Sequence, residues 1–264
     1  MVSELFSVAG QVVLISGGSR GIGYAIADSF AKAGATVVIT GRNADTIEAA
    51  ARQISEKNPE APTVEGYAAD VSLVQDNKRV VADIVDKHGR IDTLFNVAGV
   101  TKRQPTLNQT ETDYDHILGT NLKGPFFLSQ EVGRHMIAAG RGSQINIASY
   151  NNYSPLPGVT PYAVSKGGLH ALTRSLAVEW GRHNVRVNSL APGFILTPLT
   201  EKLWSIPKMR DWVLSITPMG RLGTPEDLIG TAIYLASEAS AFVTGQILWV
   251  GGGVTAGTNW PMDL

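Results

Sequence analysis

The sequence has no cysteine and almost no net charge. Because none of its 264 residues is Cys, disulfides, thiolate nucleophiles and cysteine-ligated metal sites are all excluded. Its 22 Lys and Arg residues nearly balance 23 Asp and Glu residues, which leaves a formal net charge of -1 at pH 7. Such a chain has no overall field that would attract a polyanion or an acidic lipid surface. We therefore expect no nucleic acid and no membrane among its partners.

Long apolar runs are missing too. No run reaches the ~20 residues that a transmembrane helix needs. The first ten residues, MVSELFSVAG, lack the basic and apolar regions of a signal peptide. Together with the lack of cysteine, this pattern predicts a cytoplasmic protein. The five histidines show neither His-x-x-x-His spacing nor pairing with carboxylates, so no metal site is predicted.

What the sequence does contain is a regular alternation of short apolar runs with amphipathic stretches. Helical periodicity marks the segments Asp45–Ser55, Gln75–His88 and Tyr162–Arg182, and Gly34 and Gly89 stand where helices should end. The apolar runs are typical of buried parallel strands: Val12–Ser16, Thr36–Thr40, Val64–Ala68, Ile91–Val97, Gln144–Ala148, Val185–Leu190 and Gln246–Val250. The alternation predicts an α/β fold over a single domain, residues 1–264: a Rossmann-like, doubly wound, seven-stranded parallel sheet with helices on both faces.

Residues 194–220 interrupt this alternation. The segment is rich in proline, contains two tryptophans and separates the sixth predicted strand from the next helix. A connection of this length inside a compact domain is usually functional and often forms a lid. We predict a substrate-binding lid over about residues 194–220, with an apolar underside formed by Leu199, Leu203, Trp204 and Trp212.

A glycine-rich turn follows the first predicted strand. Gly17, Gly21 and Gly23 are spaced GxxxGxG ahead of a helix whose apolar residues recur four apart, beginning at Ile22. Glycines let the backbone approach a pyrophosphate closely, and a helix N-terminus offers free N–H groups and a partial positive charge. An ordinary glycine-rich turn is the alternative, but the context of strand, turn and helix favours a dinucleotide site.

Tyr162 and Lys166 stand four apart at the start of a predicted helix, so both side chains project from one face. A tyrosine with a pKa near 10 is a poor acid–base catalyst at neutral pH, but a nearby ammonium can lower that pKa by roughly 1–3 units. Ser149 ends the fifth predicted strand, at the sheet edge where ligands bind, and its hydroxyl is placed to hydrogen bond a substrate oxygen. Taken alone, the pair is more often a partly buried Tyr beside a solvated Lys.

Together, these motifs resemble the short-chain dehydrogenase/reductase family. The resemblance runs from Leu14 to Gly253, with the order and spacing of the family's motifs. The matching residues are Ser16 to Gly23 for the glycine turn, Asp70-Val71, Asn96-Val97-Ala98-Gly99, Asn121 in Asn-Leu-Lys-Gly, Ser149, Tyr162-Ala163-Val164-Ser165-Lys166 and Pro192-Gly193. Two departures are mild: Ser16 replaces the usual Thr, and Val97 replaces the usual second Asn.

The resemblance implies an enzyme that interconverts a secondary alcohol and a ketone with a nicotinamide cofactor. By the same resemblance, Tyr162 is the general acid in reduction and the base in oxidation. Lys166 lowers the pKa of Tyr162 and holds the nicotinamide ribose. Ser149 orients the carbonyl, and Asn121 anchors a proton-relay water. No metal enters the chemistry of the family.

The implied cofactor contacts span the whole chain, with Asp70 at the adenine. A simpler alternative for Asp70 is a turn beside a Ser72–Gln75 capping box, and for Asn121 it is a helix interruption ahead of Gly124-Pro125. The implied cofactor-binding residues are Gly17, Ser19, Arg20, Gly21, Ile22, Gly23, Arg42, Asp70, Val71, Asn96, Ala98, Gly99, Tyr162, Lys166, Pro192, Gly193, Ile195 and Thr197.

The end of the second predicted strand indicates which nicotinamide cofactor is bound. An enzyme selective for NAD needs an acidic side chain there to accept hydrogen bonds from the ribose hydroxyls. This chain has Gly41 in that place, Arg42 immediately after it and Arg20 inside the glycine turn. Because two guanidiniums suit a ribose 2′-phosphate, the predicted cofactor is NADP. The alternative is that both are surface arginines in mobile loops.

Within the family, three stretches look like gluconate 5-dehydrogenases and related sugar-acid and polyol reductases: Leu5-Phe6 to Gly10, Gly99 to Pro105, and Arg134-His135-Met136. The expected partner is therefore a small carbonyl or alcohol substrate held by Arg103, Ser149 and Tyr162. Arg103 is placed to pair a substrate carboxylate bidentately. A solvated basic loop at Lys102-Arg103 is an equally good reading.

Two other functions stay open. A 3-ketoacyl carrier-protein reductase also fits the general motif set, although Val178 stands where such reductases commonly carry Arg. A non-catalytic, cofactor-sensing protein typically lacks the Tyr or the Lys, and both are present here. The family resemblance also implies a homotetramer, through the helices near Thr112–Met136 and Tyr162–Arg182 and the last strand. Trp249 and Trp260 are candidates for that interface.

Overall fold

The computed structural model describes residues 2–257. At its centre is a seven-stranded sheet in the order β3-β2-β1-β4-β5-β6-β7, and every neighbouring pair of strands is parallel. The predicted α/β fold is confirmed, and each strand ends within about two residues of its predicted bounds. The strands are β1 (Val12–Ser16), β2 (Thr36–Gly41), β3 (Glu65–Ala68), β4 (Thr93–Asn96), β5 (Gly142–Ile147), β6 (Val185–Pro192) and β7 (Ile247–Val250).

Helices cover both faces of this sheet, and the predicted helix ends at Gly34 and Gly89 are confirmed by φ angles of +85° and +75°. Among residues 2–257, no helix is long and apolar enough to cross a membrane. The helices are α1 (Val2–Leu5), α2 (Gly21–Lys32), α3 (Ala44–Lys57), α4 (Val74–His88), α5 (Glu111–Leu118), α6 (Gly124–Ala139), α7 (Thr160–Trp180), α8 (Glu201–Trp204), α9 (Pro207–Ile216) and α10 (Ile229–Ala236).

The core lies in two layers because successive side chains of a strand point to opposite faces. On β1, Val13 and Ile15 pack with the apolar faces of α2, α3 and α10. Val12 and Leu14 pack on the other side with α4, α6 and α7. Buried on both faces, the strands therefore read as continuous apolar runs.

The strand order creates a crevice at the carboxyl edge of the sheet. The chain runs outward from β1 through β2 to β3, and it then returns to place β4 on the other side of β1. The connections that follow β1 and β4 leave in opposite directions, which opens a ligand-binding crevice between them. The glycine turn after β1 and the Asn96 motif at the end of β4 therefore meet at this edge.

The segment 194–220 is not the irregular loop that the sequence predicted, because it contains α8 and α9. Phe194 packs edge-on against Trp204 and Trp212, with ring centroids 5.6 Å apart in both pairs. Trp204 and Val213 are buried with Phe194 in a third, smaller core. The segment thus has packing of its own next to the crevice.

Candidate active site

The glycine turn is too closely packed for a side chain at Gly17 or Gly23. Gly17 has φ +75°, which L side chains rarely adopt, and a Cβ there would lie 2.8 Å from Cα of Ala98. A Cβ on Gly23 would collide with the carbonyl oxygen of Gly17. No side chain caps the N-terminus of α2, which starts at Gly21. The turn and the first N–H groups of α2 therefore fit a pyrophosphate, which binds such N–H groups at a helix N-terminus.

Arg20 and Arg42 both line the cleft and both are exposed. Gly41, the last residue of β2, also lines the cleft and puts no carboxylate there. No ion pair of either arginine with a carboxylate is found within the described ranges. Two guanidiniums on the wall of one cleft can bind a phosphate.

Asp70 lines the cleft just after β3, and its side chain also builds the local turn. Its Oδ1 accepts hydrogen bonds from the backbone N (2.9 Å) and the hydroxyl (2.7 Å) of Ser72. The Ser72–Gln75 capping box does not form, because the N-cap of α4 is Leu73 and no side chain caps that helix. The turn itself fixes Asp70 and Val71 at the cleft wall.

Ser149, Tyr162 and Lys166 line the same cleft at the carboxyl end of β5. Ser149 follows that strand, whereas Tyr162 and Lys166 project from the first turns of α7. The Lys166 side chain is buried, and Nζ donates a hydrogen bond to the carbonyl oxygen of Ile147 at 2.6 Å. Nζ also lies 5.8 Å from the centre of the Tyr162 ring.

Burial sets the protonation of Tyr162 and Lys166. It raises the pKa of Tyr162 above its usual value of 10, and the Ser149 hydroxyl and the Arg103 guanidinium lower that pKa only in part. Burial also lowers the pKa of Lys166 to about 8. The expected lowering of the Tyr162 pKa by Lys166 is not met in this structure, because burial dominates and Nζ is bonded to Ile147. At neutral pH the phenol holds its proton, which is the form that a proton donor needs.

Asn121 lies in a π-helical turn, Gly119–Lys123, between α5 and α6. Its Oδ1 accepts from the Val100 backbone N at 2.8 Å, and its Nδ2 donates to the Val100 carbonyl at 2.9 Å and to Ser165 Oγ at 3.1 Å. The helix interruption that was the simpler alternative for Asn121 is present, and such π turns are local disruptions often found at functional sites. The Asn121 side chain thus links Val100, which follows β4, to Ser165 on α7. It does not line the cleft.

Arg103 follows β4 in an exposed loop and does not line the cleft. Its charge is near enough to Tyr162 to lower the pKa of the phenol.

The cleft collects predicted residues from every motif except that of Asn121. It is lined by Gly17, Ser19, Arg20, Gly21, Ile22, Gly23, Arg42, Asp70, Val71, Ala98, Gly99, Ser149, Tyr162, Lys166, Pro192, Gly193, Ile195 and Thr197, and by Leu199 of the predicted lid. The predicted site residues did not include Thr40, Ala69, Val97, Val100, Thr120, Ile147, Ala148, Pro198 and Thr200. Most of these directly adjoin a motif residue at a strand end, which is the signal that could have found them.

Asn96 is a correction. It was expected at the cofactor, but it is fully buried behind the cleft, where Nδ2 donates to Ser129 Oγ at 3.0 Å and to Asn146 Oδ1 at 2.9 Å. Asn146 Nδ2 continues to Thr173 Oγ1 at 2.9 Å. Asn96 therefore belongs to a buried polar chain that ties α6 and α7 to the sheet.

A family model described as enoyl-(acyl carrier protein) reductase matches residues 17–255, a range that contains all of these motifs except Ser16. The chain belongs to the short-chain dehydrogenase/reductase family. The resemblance expected from the motifs is thereby confirmed, and the chain is an oxidoreductase.

This short-chain dehydrogenase/reductase is similar to two kinds of enzyme. It is 41% identical over 252 residues to gluconate 5-dehydrogenase from Gluconobacter oxydans, covering 96% of this chain and 97% of that one. It is 40% identical over 248 residues to a 3-oxoacyl-(acyl-carrier-protein) reductase from Thermotoga maritima, covering 93% and 98%. A crystal structure of gluconate 5-dehydrogenase from Burkholderia cenocepacia in complex with NADP and tartrate is 36% identical, with a TM-score of 0.93 and coverage of 98% and 100%.

Proposed function

We propose that this chain is an NADP(H)-dependent oxidoreductase that interconverts a secondary alcohol and a ketone on a sugar acid, ketose or polyol. The observation that carries the proposal is that Ser149, Tyr162 and Lys166 line the same cleft as the glycine turn and Arg42. A proton donor thus shares one cleft with a pyrophosphate site. The relatives named gluconate 5-dehydrogenase support the substrate class.

The residues of the cleft divide the chemistry among them. When bound, the nicotinamide supplies the hydride in reduction and accepts it in oxidation. In reduction, Tyr162 donates its proton to the carbonyl oxygen, and the Ser149 hydroxyl hydrogen bonds the same oxygen. Because burial raises the pKa of Tyr162, the free site is prepared for reduction, and the charge of Arg103 favours the phenolate that this leaves behind. Lys166 holds the nicotinamide ribose.

The proposed cofactor is NADP, and the free guanidiniums of Arg20 and Arg42 would hold its 2′-phosphate. Charge-assisted hydrogen bonds from Arg to phosphate are strong and often bidentate. Gly41 leaves room for that phosphate, whereas a carboxylate in its place would repel it. The B. cenocepacia enzyme, which is 36% identical to this chain, was crystallised with NADP.

The proposed role of Arg103 is to bind the carboxylate of a sugar-acid substrate. Its charge reaches Tyr162, and its guanidinium forms no ion pair with a carboxylate among residues 2–257. A substrate carboxylate would supply that partner. The Arg103 guanidinium would thereby hold the substrate with its ketone toward Tyr162.

The test is NADPH oxidation with three substrates: 5-keto-D-gluconate, a neutral ketohexose and a 3-ketoacyl thioester. We expect kcat/KM to be highest for the keto acid and at least tenfold lower for the thioester. A tenfold ratio of kcat/KM corresponds to a difference of about 1.4 kcal/mol in transition-state binding. Preference for the thioester would instead support the carrier-protein reductase that the T. maritima relative represents. Against that second function stands Val178, which is 87% exposed on α7 and offers no charge to an acidic carrier protein.

We further propose a single domain over residues 1–264, a lid over 194–220 and assembly as a homotetramer. A groove between α6 and α7 supports the assembly, with Phe126, Ile137 and Leu172 among its lining residues. The sheet edge at β7 also supports it, because Trp249 there is only half-buried. Trp260, the other predicted interface residue, lies outside the described residues.

A further inference from the structure

The loop that carries Arg103 is held to α5 by one carboxylate. Asp113 Oδ2 accepts a hydrogen bond from Lys102 Nζ at 2.7 Å and another from Gln104 Nε2 at 2.9 Å. The Asp113 side chain is only 17% exposed. Gln104 is fixed further by Gln109, whose Oε1 accepts from Gln104 Nε2 at 3.1 Å. The two residues that flank Arg103 are therefore both bound to the same oxygen.

This attachment limits how far the loop that carries Arg103 can move. The side chains of Lys102 and Gln104, on either side of Arg103, are both bound to Asp113 of α5. The backbone is held on both sides as well, by Asn121 at Val100 and by the bond from Gln104 N to the Gly158 carbonyl at 2.9 Å. From this loop the Arg103 guanidinium acts on Tyr162, whose pKa it lowers in part.

We propose that Asp113 is a positioning residue that holds Arg103 toward the substrate and so sets the preference for substrates with a carboxylate. The inference rests on the proposed role of Arg103. Asp113 itself touches neither the cleft nor the reacting atoms. The Asp113 carboxylate stays ionised near neutral pH, because Lys102, Thr110 and Gln104 hold its pKa at about 2. The loop attachment is therefore independent of pH near neutrality.

A merely structural role for Asp113 has a different signature. Asp113 is the third residue of α5, and its backbone N donates to the Thr110 hydroxyl at 3.1 Å. Loss of an acidic residue in the first turn weakens a helix, and that would reduce turnover of every substrate alike. Selective loss with carboxylate substrates distinguishes positioning from helix stabilisation.

The experiment measures one ratio, kcat/KM for 5-keto-D-gluconate over kcat/KM for a neutral ketohexose, in wild type, Asp113→Ala, Arg103→Ala and the double variant. We expect Asp113→Ala to lower the ratio about 10-fold through KM, since displacing a binding group by ~1 Å can cost up to ~10²-fold. The double variant should match Arg103→Ala, and Asp113→Glu should recover part of the ratio. Asp83→Asn is the control, because it breaks the exposed Arg79–Asp83 pair (3.7 Å) on α4.

Two results would overturn the positioning role. One is an unchanged ratio in Asp113→Ala while Arg103→Ala lowers it, which leaves the role of Arg103 intact. The other is an equal loss with both substrates, which marks Asp113 as a helix residue only. If Arg103→Ala itself left the ratio unchanged, the carboxylate-binding role of Arg103 would fail, and the inference about Asp113 would fail with it.

Discussion

At the scale of single residues, Gly41 and Arg42 are the residues proposed to select the cofactor. A Cβ at Gly41 would lie 3.3 Å from Cδ1 of Ile47, a flexible side-chain end that can shift by a few tenths of an ångström. Gly41→Asp should therefore fold, and its carboxylate should favour NADH. Arg42→Ala should weaken NADPH binding about 10- to 100-fold, because a hydrogen bond to a charged group is worth roughly 1.5–3 kcal/mol.

The measurement is kcat/KM for NADPH and NADH in the two variants and the wild type. Binding of NADH by Arg42→Ala should scarcely change and so provides the internal control. A wild type that prefers NADH, or an Arg42→Ala variant with the wild-type preference, would show that these residues do not select the cofactor.

Lys166 gives the stability of the protein a distinctive pH dependence. Burial lowers its pKa to about 8, against 10.5 for an ordinary lysine. Between pH 8 and 10.5 the unfolded chain therefore binds more protons than the native state, so the Lys166 contribution to the free energy of unfolding rises with pH. The penalty for holding a buried ammonium is fully present below pH 8.

Denaturant unfolding of Lys166→Met and wild type at several pH values tests this effect of the lowered Lys166 pKa on stability. The stability of Lys166→Met relative to wild type should be roughly 3 kcal/mol higher below pH 8 than at pH 10.5. The bond to the Ile147 carbonyl is lost at every pH, so it cancels from the comparison. Parallel pH curves for the two proteins would contradict the lowered pKa.

Single residues could be predicted where chemistry demands a residue type at a fixed spacing. Gly17, Tyr162 and Lys166 are examples, and all three line the cleft. Asp113 could not be predicted, because it is an ordinary acidic residue near a helix start until the fold brings it to Lys102, 11 positions away. Asn96 was expected at the cofactor because its motif lies at the carboxyl end of β4. The motif marks the correct place in the sheet, but strand alternation turns the Asn96 side chain away from the cleft.

At the scale of elements, the segment 194–220 divides into an anchored part and a part at the cleft. Trp204 Nε1 donates to the Ile195 carbonyl at 3.2 Å, and Trp204 and Leu203 pack with Phe194 instead of facing the cleft as expected. Only Leu199 of the four predicted residues lines the cleft, where it is 45% exposed. The mobile part of the lid should therefore be short.

Hydrogen exchange in the free and the cofactor- and substrate-bound states should show this division. We expect the amides of Thr197, Leu199 and Thr200, which line the cleft, to become protected on binding, because closing lids exclude water. Amides around Val213 should exchange slowly in both states, since that side chain is fully buried. Peptides from α10 are the control. Equal exchange at Thr197, Leu199 and Thr200 in both states would identify a fixed packing segment.

Elements were predicted well where periodicity is strong. The inner strands β1, β2, β4, β5 and β6 are largely buried, so their apolar runs stand out from the amphipathic helices between them. The helices α8 and α9 were missed because prolines interrupt the segment, and α8 has only four residues. Their packing on Phe194 is a long-range contact that no local pattern contains.

At the scale of the whole molecule, the surface of α6 and α7 should hold two copies of the chain together. Phe126 is 44% exposed and lines the groove there. Phe126→Glu should lower the mass measured by light scattering from that of a tetramer to that of a smaller species, because an unpaired charge is costly inside an apolar interface. Leu107→Glu, at a side chain that is 99% exposed outside that groove, should keep the wild-type mass. A monomeric wild type would contradict the assembly.

The central claim is that this cleft performs acid catalysis with Tyr162 as the proton donor, and Tyr162→Phe tests it most directly. NADPH fluorescence should give the same affinity in both proteins, because the ring is kept and only the hydroxyl is lost. The rate of NADPH oxidation with 5-keto-D-gluconate should fall by 10²–10⁴-fold, the usual contribution of a general acid. If Tyr162→Phe binds NADPH normally and keeps more than about a tenth of the wild-type kcat, Tyr162 is not the acid.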